Sequence, residues 1–124
     1  MKYLLDSNVL IALGLNANEL VVARAANCDA DEMVTSAIAF AEVVHGSKRG
    51  KPPPLDRLAI MAEEIPVLPF DEAAARAYAS ISFKRASYDR LIAAHALSRQ
   101  LIVVTDNEEH FADVPGLMVE NWTG

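Results

Sequence analysis

At 124 residues, 52% of them apolar and 23% charged, the chain has the length of one domain, spanning 1–124, and the balance of a soluble globular protein with a single core. Its lone cysteine, Cys28, excludes an internal disulfide and points to a reducing cytoplasm, and no apolar run approaches the ~18 residues of a membrane span. A net charge of −6 argues against a surface that binds polyanions throughout, since phosphates are held by Lys and Arg.

The bases nevertheless cluster, at Lys48, Arg49 and Lys51 and again at Lys84, Arg85 and Arg90. They are the candidates for a basic rim around an acidic centre, beside the plainer reading of a solvated surface. Met1-Lys2 ahead of leucines has the start of a secretory signal, but Asp6, Ser7 and Asn8 break it within a few residues.

Tyr3-Leu4-Leu5 reads as a short strand buried on both faces. It stops at Asp6, and the apolar residues resume at Val9, Leu10, Ile11 and Leu13 as a helix that Ser7 or Asn8 would cap. Asp6 therefore stands where a central strand hands over to a helix, the edge at which open α/β sheets bind ligands. Glu19 to Ala26 fits a short helix, and Glu32 to Thr35 a second strand. Ser36 caps a helix that Gly46 ends, and Lys48 to Pro54 is a loop.

Leu55 to Glu64 is amphipathic, with Leu55, Leu58, Ala59 and Ala62 on one face. Ile65 to Leu68 reads as an edge strand, because Pro66 has no N–H to donate. Asp71 caps a helix running from Glu72 towards Phe83, and Tyr88 to Gln100 forms another. Leu101 to Thr105 is the clearest buried strand, and Leu117 to Glu120 a last short one. Strands alternating with helices imply an α/β, three-layer fold: a central, mostly parallel sheet of four to five strands flanked by helices.

Four carboxylates stand out. Asp106 repeats the Asp6 arrangement of strand, Asp, then a polar residue and a helical turn. Asp89 begins the helix that feeds the last long strand, so it lies at the same sheet edge. Glu42 is the only charged residue between Ser36 and His45, on a helix apolar nearly all round. Taken singly, the three aspartates could be helix caps worth ~1 kcal/mol each, and Glu42 could reach solvent. Together they would repel: two carboxylates ~4 Å apart cost about 4 kcal/mol at an effective dielectric of ~20. Such a cluster requires protonation or a cation, and all-oxygen ligands favour Mg²⁺ or Mn²⁺ over zinc. Glu42 lies six residues past its cap, ~9 Å along the helix, and reaches the cleft only if that helix tilts across the sheet edge.

Other chemistry is poorly represented. His45, His95 and His110 show no paired metal spacing, and His95 on its apolar helix reads as a core or interface histidine. No Gly-rich phosphate loop or Gly-x-Ser-x-Gly elbow occurs, and Cys28 has no base beside it.

The chain resembles the PIN-domain ribonucleases, and within them the VapC toxins of type II toxin–antitoxin systems. The matching pieces are Leu4-Leu5-Asp6-Ser7-Asn8, Ala41-Glu42-Val43-Val44-His45-Gly46, Val67-Leu68-Pro69-Phe70-Asp71, Asp89-Arg90-Leu91-Ile92-Ala93-Ala94-His95-Ala96, Val104-Thr105-Asp106-Asn107 and Val114-Pro115-Gly116-Leu117. They follow in order along nearly the whole chain. The resemblance implies a PIN-like fold and a Mg²⁺-dependent endoribonuclease (Mn²⁺ an alternative) with Asp6, Glu42, Asp89 and Asp106 as its acidic set. Asp6, Asp89 and Asp106 would bind metal, and Glu42 would be a further ligand or the group that orients the attacking water.

Ser7, Asn8, Thr105 and Asn107 are the candidates for holding those carboxylates in place. The resemblance further implies a homodimer and a VapB-type antitoxin whose basic segment fills the groove, with a transfer RNA as the family-level substrate. This chain departs from the family in having only Lys84 to Tyr88 before Asp89, where a longer stretch is usual, and in Ser7 for the commoner Thr. A haloacid-dehalogenase phosphohydrolase would want an acid where Asn8 stands, and a phospho-receiver a late lysine that the chain lacks. A PIN-like module that binds RNA or protein without cleaving it is the alternative.

Overall fold

The computed structural model describes residues 1–81 and 87–124. Five strands, β1 (Tyr3–Leu5), β2 (Met33–Ser36), β3 (Val67–Leu68), β4 (Ile102–Val104) and β5 (Val119–Glu120), form one sheet in the order β3-β2-β1-β4-β5. Every pairing is parallel. The helices are α1 (Ser7–Leu15), α2 (Glu19–Ala26), α3 (Ala37–Lys48), α4 (Leu55–Glu64), α5 (Glu72–Ala79) and α6 (Tyr88–Arg99), with a 3₁₀ turn at Glu108–His110. Among the described residues, no single helix is long and apolar enough to cross a membrane.

β1 lies in the middle because its three side chains are all apolar and all buried, Leu4 and Leu5 completely. The two flanking strands carry the same character in Val34, Val103 and Val104. Chain order runs outward from β1 to β2 on one side and to β4 on the other, so a topological switch point falls between β1 and β4. Leu5 is in register with Val104, which brings Asp6 and Thr105 out side by side at the carboxyl edge. The Pro66 strand is an edge, as expected, and Pro66 serves only as an acceptor, for the Thr35 N–H.

α6 is the most deeply placed helix, with Ile92 through Ala96 all buried. Alanine at three of those five positions lets its backbone approach the sheet closely, where larger side chains would hold it off.

Several local expectations are corrected. Asp6, not Ser7 or Asn8, caps α1: Asp6 is the extended residue and accepts from the Ser7 N–H, while Ser7 is already helical. α3 does not stop at Gly46 but runs to Lys48, and the left-handed backbone falls later, at Gly50 (φ 88°). α4 buries Leu58 and Met61, leaving Leu55 exposed. Ser87, not Asp89, caps α6 through its Oγ and the Arg90 N–H. The helix expected to reach Phe83 is described as far as Ala79; Phe83, Lys84 and Arg85 lie outside the described residues.

Candidate active site

Asp6 leaves β1 with its carboxylate only 3% exposed. One oxygen accepts from the Ser7 N–H at 2.8 Å and the other from the Thr105 hydroxyl at 2.9 Å. Burial holds its pKa above the usual carboxylate range, the charges of Asp89 and Asp106 push the same way, and the two hydrogen bonds pull it back. Thr105 is fully buried, and its Oγ also accepts from the Asn107 N–H at 3.0 Å. Thr105 therefore ties the end of β4 to the end of β1. Thr105→Val keeps the shape but strands both partners, and is expected to cost about 2–3 kcal/mol in urea unfolding at pH 7.

The other acids converge on Asp6. Asp106 is exposed, and its Oδ1 accepts from the Asn8 amide at 3.2 Å. Asp89, in the first turn of α6, has Oδ2 2.8 Å from Nδ1 of His110. Glu42 does reach the cleft, sharing a recess of ≈ 210 Å³ with Ser7, Asn8 and Lys51. Burial, then the charges of Asp6 and Asp89, push its carboxyl up to about 7. Its Oε1 is buried with no hydrogen-bond partner among the described residues.

The four acids suit a hard cation in their chemistry: all donors are oxygen, no Lys or Arg among the described residues pairs with them, and one buried oxygen is unused. Among the described residues no three such groups are drawn together as a ready-made ion cage. Asp89 and Asp106 are instead turned to His110 and Asn8.

Ser7, Asn8, Thr105 and Asn107 thus all touch this carboxylate network, Ser7 and Asn107 through backbone N–H. The link from His110 to Asp89, 21 residues apart, was not visible in the spacing of the histidines. The basic candidates divide. Lys48, Arg49 and Lys51 are exposed, Arg49 bonding the His45 carbonyl and Lys51 facing Glu42's recess. Arg90 is withdrawn from the rim: it is 9% exposed and pairs with Asp113 at 2.6 Å. Lys84 and Arg85 lie outside the described residues. His95 is a core histidine, fully buried with Nδ1 2.7 Å from Ser36 Oγ and its ring edge-on to Phe70.

The PIN domain family model matches residues 3–117. The chain is 32% identical to the tRNA(fMet)-specific endonuclease VapC of Shigella flexneri, over 99% of both chains. It is 28% identical to Ribonuclease VapC2 of Haemophilus influenzae, over 98% of both. Among solved structures, it superposes on DNA-bound VapBC from Salmonella typhimurium with a TM-score of 0.83 at 31% identity, covering 98% of each chain. VapBC2 from Rickettsia felis, bound to a DNA fragment from its promoter, gives 0.87 at 22% identity over 98% of this chain and 99% of that one, a likeness of fold. With its carboxylates gathered at the β1/β4 switch point and these relatives matched end to end, the chain belongs to the PIN domain family and, within it, to the VapC ribonucleases.

Proposed function

We propose that this chain is a Mg²⁺-dependent endoribonuclease toxin that hydrolyses RNA phosphodiester bonds, with Asp6, Glu42, Asp89 and Asp106 as its catalytic acids. The observation that carries the reading is the buried Glu42 Oε1, unpartnered among the described residues and within reach of the charges of Asp6 and Asp89. An uncompensated oxygen in a like-charged cluster is costly, and a divalent cation relieves it.

Asp6, Asp89 and Asp106 would hold the ion, Asp6 as the rigid member because two hydrogen bonds fix its plane. Bound there, a divalent ion would supply charge neutralisation at the phosphate and a more acidic water. Glu42, whose carboxyl burial pushes up to about 7, would orient the attacking water and accept its proton. Asn8 and His110 hydrogen-bond Asp106 and Asp89 and so orient their carboxylates.

A transfer RNA is the favoured substrate, because relatives at 32% and 30% identity are named tRNA(fMet)-specific endonucleases. A VapB-type antitoxin is the partner, since the neighbouring structures are VapBC assemblies and an acidic toxin suits a basic inhibitory segment. The same reading includes one domain over 1–124, a homodimer and a cytoplasmic location.

The test is incubation with total cellular RNA, with Mg²⁺ or with EDTA, beside Asp106→Asn. Discrete bands that vanish with EDTA and in the variant are expected. RNA retention without cleavage in Mg²⁺ and Mn²⁺ would replace the enzyme by a binding module.

A further inference from the structure

Glu42 and His45 of α3 line two recesses at once. On one side lies the ≈ 210 Å³ hollow lined also by Ser7, Asn8, Ile11 and Lys51, which offers the Asn8 amide and the Lys51 ammonium group. On the other lies a hollow of ≈ 400 Å³ walled by Ile38, Ala41 and the ring of Tyr88. Tyr88 is 62% exposed, directly before Asp89. Among the described residues, a ring this open beside the carboxylates adds little to the core.

An RNA strand alternates in the same way, a flat π-face next to a phosphate. We infer that the Tyr88 hollow receives a nucleobase neighbouring the scissile phosphodiester, stacked on the Tyr88 ring, while Lys51 takes a phosphate on the far side of Glu42. The inference rests on the ribonuclease reading and adds to it the two contacts that lay the strand across the acids. Stacking is indifferent to the chain's net charge of −6, which works against binding a polyanion by electrostatics alone. It also tolerates any base, so choice among RNAs falls to the shape presented rather than to this hollow.

The probe is a fluorescein-labelled single-stranded RNA containing a cleavage site. Its binding is read by anisotropy with Mg²⁺ in an Asp106→Asn background, over a range of salt. Tyr88→Ala is expected to weaken binding about tenfold or more with the salt dependence unchanged, and Tyr88→Phe to restore it. Lys51→Ala should weaken binding and reduce the salt slope by about 1. In the cleaving parent, Tyr88→Ala should raise KM and spare kcat, and an abasic nucleotide beside the cleaved bond should erase its effect.

Equal binding by Tyr88→Ala overturns the subsite while leaving cleavage by the parent, and so the ribonuclease reading, intact. Binding that needs Tyr88 without any cleavage by the parent does the reverse. Sedimentation showing that Tyr88→Ala merely splits a dimer would assign the ring to a second copy and overturn the inference.

Discussion

Mg²⁺ at a hundred times its dissociation constant is expected to stabilise the protein by about 2.7 kcal/mol, and Asp6→Asn to lose most of that gain. For a chain of this size the rise is roughly 10 °C in Tm. Asn is nearly isosteric, and its carbonyl can still accept from the Ser7 N–H, so α1 keeps its cap. What disappears is one negative charge at a point where the charges of Asp89 and Asp106 are both felt. The metal-free variant should therefore melt no lower than the parent, because the buried charge that burial and those neighbours oppose is gone. RNA cleavage should fall by about a thousandfold. Thermal melts of both proteins, each with EDTA and with Mg²⁺, separate these outcomes. An equal Mg²⁺-induced rise in the variant would remove Asp6 from the ion's ligands.

The parts of this site that were legible in the chain are those set by short apolar runs ending in a carboxylate. Tyr3-Leu4-Leu5 before Asp6 and Ile102-Val103-Val104 before Thr105 and Asp106 are too apolar to sit anywhere but the sheet centre. Parallel connection then brings their ends together. Glu42 could be suspected but not placed, because its reach depends on how α3 crosses the sheet, and no periodicity encodes that angle.

What escaped was contact over long separation. Arg90 has the look of a rim cation by its charge alone, but the middle of α6 is buried and the Arg90 side chain turns to Asp113, 23 residues on. His110 meets Asp89 only because the 3₁₀ turn after β4 folds back over the start of α6. The cap of α1 was misassigned for a different reason: Asp, Ser and Asn in succession are all competent caps, and tertiary pairing of Asp6 with Thr105 decides among them.

Glu42→Gln should stabilise the metal-free protein at pH 8 while abolishing cleavage. Folded Glu42 keeps its proton up to about pH 7, against an ordinary value of 4.5. Between those two values the folded state binds the extra proton, so the stability associated with a neutral Glu42 is complete below about pH 4.5. It is lost as pH rises through about 7. Above that, the ionised side chain faces Asp6 and Asp89 from a half-buried position.

The shift corresponds to about 3 kcal/mol at most. Solvent screening at a half-buried group reduces it to about 1–2 kcal/mol. Gln carries no such charge at any pH, so its metal-free Tm should exceed the parent's by about 5 °C at pH 8, the gap closing as pH falls from about 7 to 4.5. Adding Mg²⁺ should narrow the gap, because an ion held by Asp6, Asp89 and Asp106 offsets the extra charge that only the parent carries. Melts at both pH values with EDTA, repeated with Mg²⁺, test the sign directly. A variant less stable than the parent at pH 8 without metal would mean that Glu42 is neutralised by a partner within the fold, and that the carboxylate cluster needs no cation to exist.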